Sequence, residues 1–102
     1  MREDDILSGT VLGELGYSLE ELAQAAAVGE EWLTLRIREG LVEALPGAAL
    51  PWRFAVSEVR RVRRMRDIER DFDAAPELAA LVADLLEELA ALRARLRAAG
   101  LA

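Results

Sequence analysis

Glu30 and Glu31 open a segment, "GEEWLTLRIREGL", in which Arg36 and Arg38 follow one and two turns later. Carboxylates and guanidinium groups in that order can bind a basic protein surface, or, if the arginines lead, a nucleic-acid backbone. They are almost the only chemistry available, because the chain has neither cysteine nor histidine. That removes thiolate nucleophiles, disulfides, the usual general base and most zinc sites. No carboxylate pair stands in a setting that would tune one member as an acid. The expectation is therefore a chain that is not an enzyme, with no catalytic residue, no metal site and no cofactor.

A second cluster is "RRVRRMR" at 60–66, which has the look of a phosphate-binding patch. Arg63 and Arg64 stand near Asp67, and Arg66 near Glu69, at helical neighbour spacing. The run is thus a solvated, self-paired helix face, a phosphate contact, or an internal partner for acids elsewhere in the chain. Charge is strongly segregated: residues 1–51 sum to −7, 52–70 to +4, 71–92 to −6 and 93–102 to +3, for a total of −6. An acidic chain with one basic segment is poorly suited to general polyanion binding.

The elements that position these groups can be read from caps and periodicity. Ser18-Leu19-Glu20-Glu21 is a capping box, in which serine and glutamate each satisfy the other's backbone N–H. Leu19, Leu22, Ala23 and Ala26 mark the inward face of a short helix. Val28-Gly29 turns the chain into a second helix, whose first-turn glutamates complement the helix dipole. Leu33 and Ile37 face inward there, Trp32 and Arg36 lie on an adjoining face, and Gly40 stops the helix. Two short helices with a tight turn predict a helix-turn-helix. Leu41–Leu45 and Trp52–Val56, separated by Pro46-Gly47, predict a β-hairpin wing, with Trp52 and Phe54 pinning it to the core. Ser57 then caps a third helix, with Val59, Val62, Met65, Ile68 and Phe72 as its apolar stripe.

Pro76 opens the last helix. Leu78, Val82, Leu85, Leu89, Leu92 and Leu96 are spaced 4, 3, 4, 3, 4, which is a coiled-coil seam about 30 Å long. Glu88 and Arg93 flank it five residues apart, a spacing that suits pairing across a parallel seam. An unpaired apolar stripe of that length is costly in water, so a homodimer is expected. The domain reading is a flexible lead over 1–16, a winged helix-turn-helix over 17–73 and a coiled-coil-like helix over 76–99. No apolar run approaches the ~20 residues that cross a bilayer, and Met1–Asp5 is acidic where a leader would be basic, so a cytoplasmic protein is expected.

"YSLEELAQAAAVGEEWLTLRIREGLV" resembles the N-terminal helix-turn-helix of MerR-type regulators. "WRF" at 52–54, "ERDFDAA" at 69–75 and "LVADLLEELAALRARL" at 81–96 together resemble the chaperone modulator CbpM family, a pattern covering about residues 17–97. The chain departs from it at Ala75, where asparagine is expected. The resemblance implies a mainly α, MerR-like winged helix-turn-helix fold with a small hairpin wing and a long C-terminal helix. It also implies a partner, the J domain of a DnaJ-like co-chaperone (CbpA), whose stimulation of DnaK such proteins block. A J domain offers a basic helix, so Glu30, Glu31, Asp84, Glu87 and Glu88 are the expected contacts. DNA binding is expected to be weak or absent; the alternative is a MerR-like DNA-binding transcriptional regulator using Arg36, Arg38 and Arg53.

Overall fold

The computed structural model describes residues 16–46 and 51–101. The flexible lead expected over 1–16 lies outside the described residues except for Gly16, and so does the tip of the expected wing at 47–50. Four helices occur in order: α1 (Leu19–Ala26), α2 (Glu30–Arg38), α3 (Glu58–Phe72) and α4 (Pro76–Ala98). The chain divides into two compact units, Met1–Arg63 and Arg64–Ala102. The boundary falls within α3.

In the first unit, α1 begins at the capping box. The Ser18 hydroxyl accepts from the Glu21 N–H at 3.1 Å, and the Glu21 carboxylate accepts from the Ser18 N–H at 2.8 Å. Just past α1, Ala27 adopts a left-handed conformation (φ 59°), so that the Val28 N–H reaches back to the Ala23 carbonyl. Gly29 then starts α2 with no side-chain cap. At the other end of α2, Gly40 (φ +80°) takes the left-handed position and the Leu41 N–H bonds the Arg36 carbonyl. Both closures satisfy carbonyls that a helix end would otherwise orphan. Helices α1 and α2 pack on each other. Leu22, Ala23 and Ala26 of α1, Leu33 of α2, Val42, Phe54 and Val62 form the buried core of this unit.

The expected hairpin wing is not seen: no strand occurs among the described residues. Among the described residues a backbone hydrogen bond from the Leu45 N–H to the Arg53 carbonyl, at 2.7 Å, joins the two arms. Pro46 and Pro51 supply no N–H on either side of the tip, which limits a ladder. Phe54 pairs instead with Tyr17, exchanging two backbone hydrogen bonds of 2.8 Å in an isolated antiparallel bridge. Gly16, immediately before, is buried with φ +67°, and a Cβ there would stand 2.5 Å from the Phe54 carbonyl oxygen.

The second unit contains the end of α3 and all of α4. Met65, Ala79, Ala80 and Ala83 are buried, and the Arg64 guanidinium lies 3.6 Å from the Glu87 carboxylate. Phe72, expected to continue the α3 core stripe, is instead 76% exposed. It is the last helical residue, and Asp73 after it turns the chain with φ 50°. Helix α4 spans 23 residues and closes at Gly100, where the Leu101 N–H bonds the Leu96 carbonyl. Among the described residues no helix is long and apolar enough to cross a membrane.

Two substitutions test the backbone account by urea or thermal denaturation. Gly16→Ala is expected to destabilise by roughly 2–3 kcal/mol, through left-handed strain and the clash with the Phe54 carbonyl. Ala27→Gly relieves a left-handed alanine and is expected to stabilise by about 0.5–1 kcal/mol.

Candidate functional site

The two arginines of α2 have different fates. Arg36 is only 8% exposed. Its Nη1 donates to the Glu39 carboxylate at 3.1 Å, and its guanidinium carbon lies 5.0 Å from the centre of the Trp32 ring. Trp32 and Glu39 stand at i−4 and i+3, so the helix itself presents an aromatic face and an anion to the same cation. One of the two α2 arginines that could reach a phosphate or a base edge is thus folded into its own helix. Arg38 stays exposed, and no ion pair or side-chain hydrogen bond engages it among the described residues.

At the opposite end of α2, Glu30 and Glu31 are exposed in the first turn. Their carboxylates make no ion pair among the described residues, while the Thr34 hydroxyl donates to the Glu30 carbonyl at 2.8 Å. These carboxylates favour the helix N-terminus and repel phosphate. Arg53, the third arginine expected of a DNA reader, is half-buried and its backbone carbonyl accepts from Leu45.

The arginine row of α3 is engaged internally at several points. Arg61 donates to the Leu41 carbonyl at 2.7 Å and lies 3.4 Å from Glu58, tying α3 to the segment after α2. Arg70 bonds Asp71 and Asp67, each at 3.0 Å, and the Asp71 hydrogen bond leads in raising its pKa above the ordinary arginine value. Arg64 reaches Glu87 of α4, the internal acidic partner that the sequence left as one of three readings. The Arg61 link to a backbone carbonyl had no signal in sequence spacing, because its partner lies on another segment.

On α4 the expected acidic contacts Asp84, Glu87 and Glu88 are all exposed, with Glu87 shared with Arg64. The buried face of α4 is its alanine side. The seam residues Leu78, Leu85, Leu89, Leu92 and Leu96 are between 40% and 55% exposed, and Val82 is half-buried. Glu30 and Glu31 belong to the first unit and the three α4 acids to the second.

The unequal environments of the α2 arginines give a direct test by denaturation. Arg36→Ala is expected to cost about 1–2 kcal/mol, through lost packing on Trp32 and lost pairing with Glu39. Arg38→Ala is expected to stay within about 0.5 kcal/mol of the parent, as an exposed substitution should.

No curated protein and no solved structure matches this chain. The family model described as MerR HTH family regulatory protein matches residues 17–99, which takes in all four helices and the segments that join them. The chain belongs to the MerR helix-turn-helix family.

Proposed function

We propose that this chain is a chaperone modulator of the CbpM kind, which binds the J domain of a DnaJ-like co-chaperone through acidic surface and so blocks stimulation of DnaK. The observation that carries this reading is the withdrawal of Arg36 onto Trp32 and Glu39 while Glu30 and Glu31 stay exposed. A helix built that way meets a cationic partner better than a phosphate backbone. The family matched by residues 17–99 includes the CbpM proteins, which makes the reading compatible with the relationship. Asp84, Glu87 and Glu88 on α4 are exposed and add carboxylates to the surface of the second unit, with Glu87 shared with Arg64.

The reading includes a homodimer formed through the α4 seam, from Leu78 to Leu96. What supports it is the exposure of large side chains at coiled-coil spacing, on a helix whose buried positions are all alanines. The family description, a regulatory protein, favours a second reading as a DNA-binding regulator. Arg38 and Arg53 are then the residues that have to carry phosphate contact.

Calorimetric titration of the full chain with the J domain, beside a gel shift with duplex DNA, separates the two. J-domain binding is expected to weaken about tenfold or more when Glu30, Glu31, Asp84, Glu87 and Glu88 are replaced by Lys or Ala, and to weaken as salt rises. Unchanged affinity in that variant would sink the electrostatic reading. A duplex affinity that falls steeply with salt and is lost with Arg38→Ala and Arg53→Ala would support the regulator instead. For the seam, Leu85→Asp with Leu89→Asp is expected to convert a dimer to a monomer in light scattering. A parent chain that is already monomeric at tens of micromolar would remove the dimer from the proposal.

A further inference from the structure

The outward face of α2 has an order of charges that acidity alone does not describe. Glu31, Leu35 and Arg38 follow at i, i+4 and i+7, with Glu30 and Thr34 beside them. Leu35 is 54% exposed, although Leu33 already fills the inward side of the same helix. Glu30, Glu31, Thr34 and Leu35 line a shallow concavity of about 440 Å³. One turn further, Arg38 lines a groove of about 430 Å³ with Ser18, Leu19, Glu20, Pro51 and Trp52, where among the described residues it is the one cation beside a single carboxylate. The carboxylates at one end and the guanidinium at the other make no ion pair among the described residues.

A leucine at the middle of this face has little to offer a nucleic acid, since only the thymine methyl rewards an apolar contact in the major groove. To a protein it offers what interfaces are built on: an apolar centre within a polar rim. The face is three helical positions long, about 10 Å from Glu31 to Arg38. Side chains on a facing helix repeat with that same rise.

We propose that this face of α2 seats one amphipathic helix of a protein partner. A cation of that helix lies against Glu30 and Glu31, an apolar side chain packs on Leu35, and a carboxylate meets Arg38 at the mouth of the Trp52 groove. Leu35 supplies the affinity that salt does not screen, and the charges at either end set the direction of the bound helix. The inference rests on the J-domain reading and deepens it: it names the order of side chains on the bound segment, and it makes an uncharged residue, Leu35, the anchor.

The test titrates the full chain with the J domain of the co-chaperone across a salt series. Leu35→Ala is expected to weaken binding about tenfold, with an unchanged melting temperature and the parent's salt dependence. Leu35→Met, which keeps an apolar side chain of similar volume, is expected to retain affinity. Glu30→Gln with Glu31→Gln is expected to flatten the salt dependence, and Arg38→Glu to weaken binding. If the parent binds the J domain and Leu35→Ala stays within twofold of it, the docking face is overturned while the J-domain reading stands. If the parent does not bind the J domain, both are overturned. Duplex DNA binding that is lost with Arg38→Ala and indifferent to Leu35→Ala would overturn the face as a protein site.

Discussion

The first unit depends on the two backbone hydrogen bonds exchanged between Tyr17 and Phe54. They fasten the residue before the α1 cap to the arm that leads into α3, joining segments far apart in sequence. Phe54 can sit at the centre of the core because its backbone is held there, and its carbonyl can come so close because Gly16 has no Cβ. A paired strand in a longer ladder would share such bonds among many residues. Here a single bridge does it, and α1, α2 and the start of α3 are arranged around that point.

With that frame in place, the chemistry of α2 follows from register. One side of the helix must put Leu33 into the core, and the same register turns Arg36 toward Trp32 and Glu39. What remains outward is Glu30, Glu31, Leu35 and Arg38. A helix that in related architecture is positioned to enter a groove of DNA therefore shows acid first, then an aliphatic surface, then a cation. The family relationship accounts for the scaffold, and the outward chemistry of α2 is decided at these few positions.

Local signals in the sequence carried far. The capping box at Ser18 and Glu21, the stop at Gly40 and the start at Pro76 each depend on residues within a few positions of one another, and each appears where the pattern puts it. The cation–π contact of Arg36 with Trp32 was readable in principle, since the two are one turn apart, but its near-complete burial depends on the surrounding core. The wing was misread because alternation at Leu41–Leu45 and Trp52–Val56 says nothing about which neighbour a segment pairs with. Phe54 found Tyr17, and two prolines flank the tip. Phe72 was misread for a related reason: helical periodicity continues to the last residue of α3, whether or not packing does. The link of Arg61 to Leu41 was legible only once the chain had folded, whereas that of Arg64 to Glu87 is one of the three roles the arginine run allows.

From Asp84 to the end of α4 no residue is buried. That half of the helix holds its shape through backbone hydrogen bonds and the good helix propensities of alanine, leucine, glutamate and arginine. An uncovered helix of this kind opens locally at little free-energy cost, so its amide protons are open to exchange with solvent. Covering the leucine stripe would slow that exchange residue by residue, and it would do so at the amides closest to whatever covers it. The last turns of α4 thus form a built-in gauge of occupancy, in which the pattern of slowed amides would mark whichever face of the helix came to be covered.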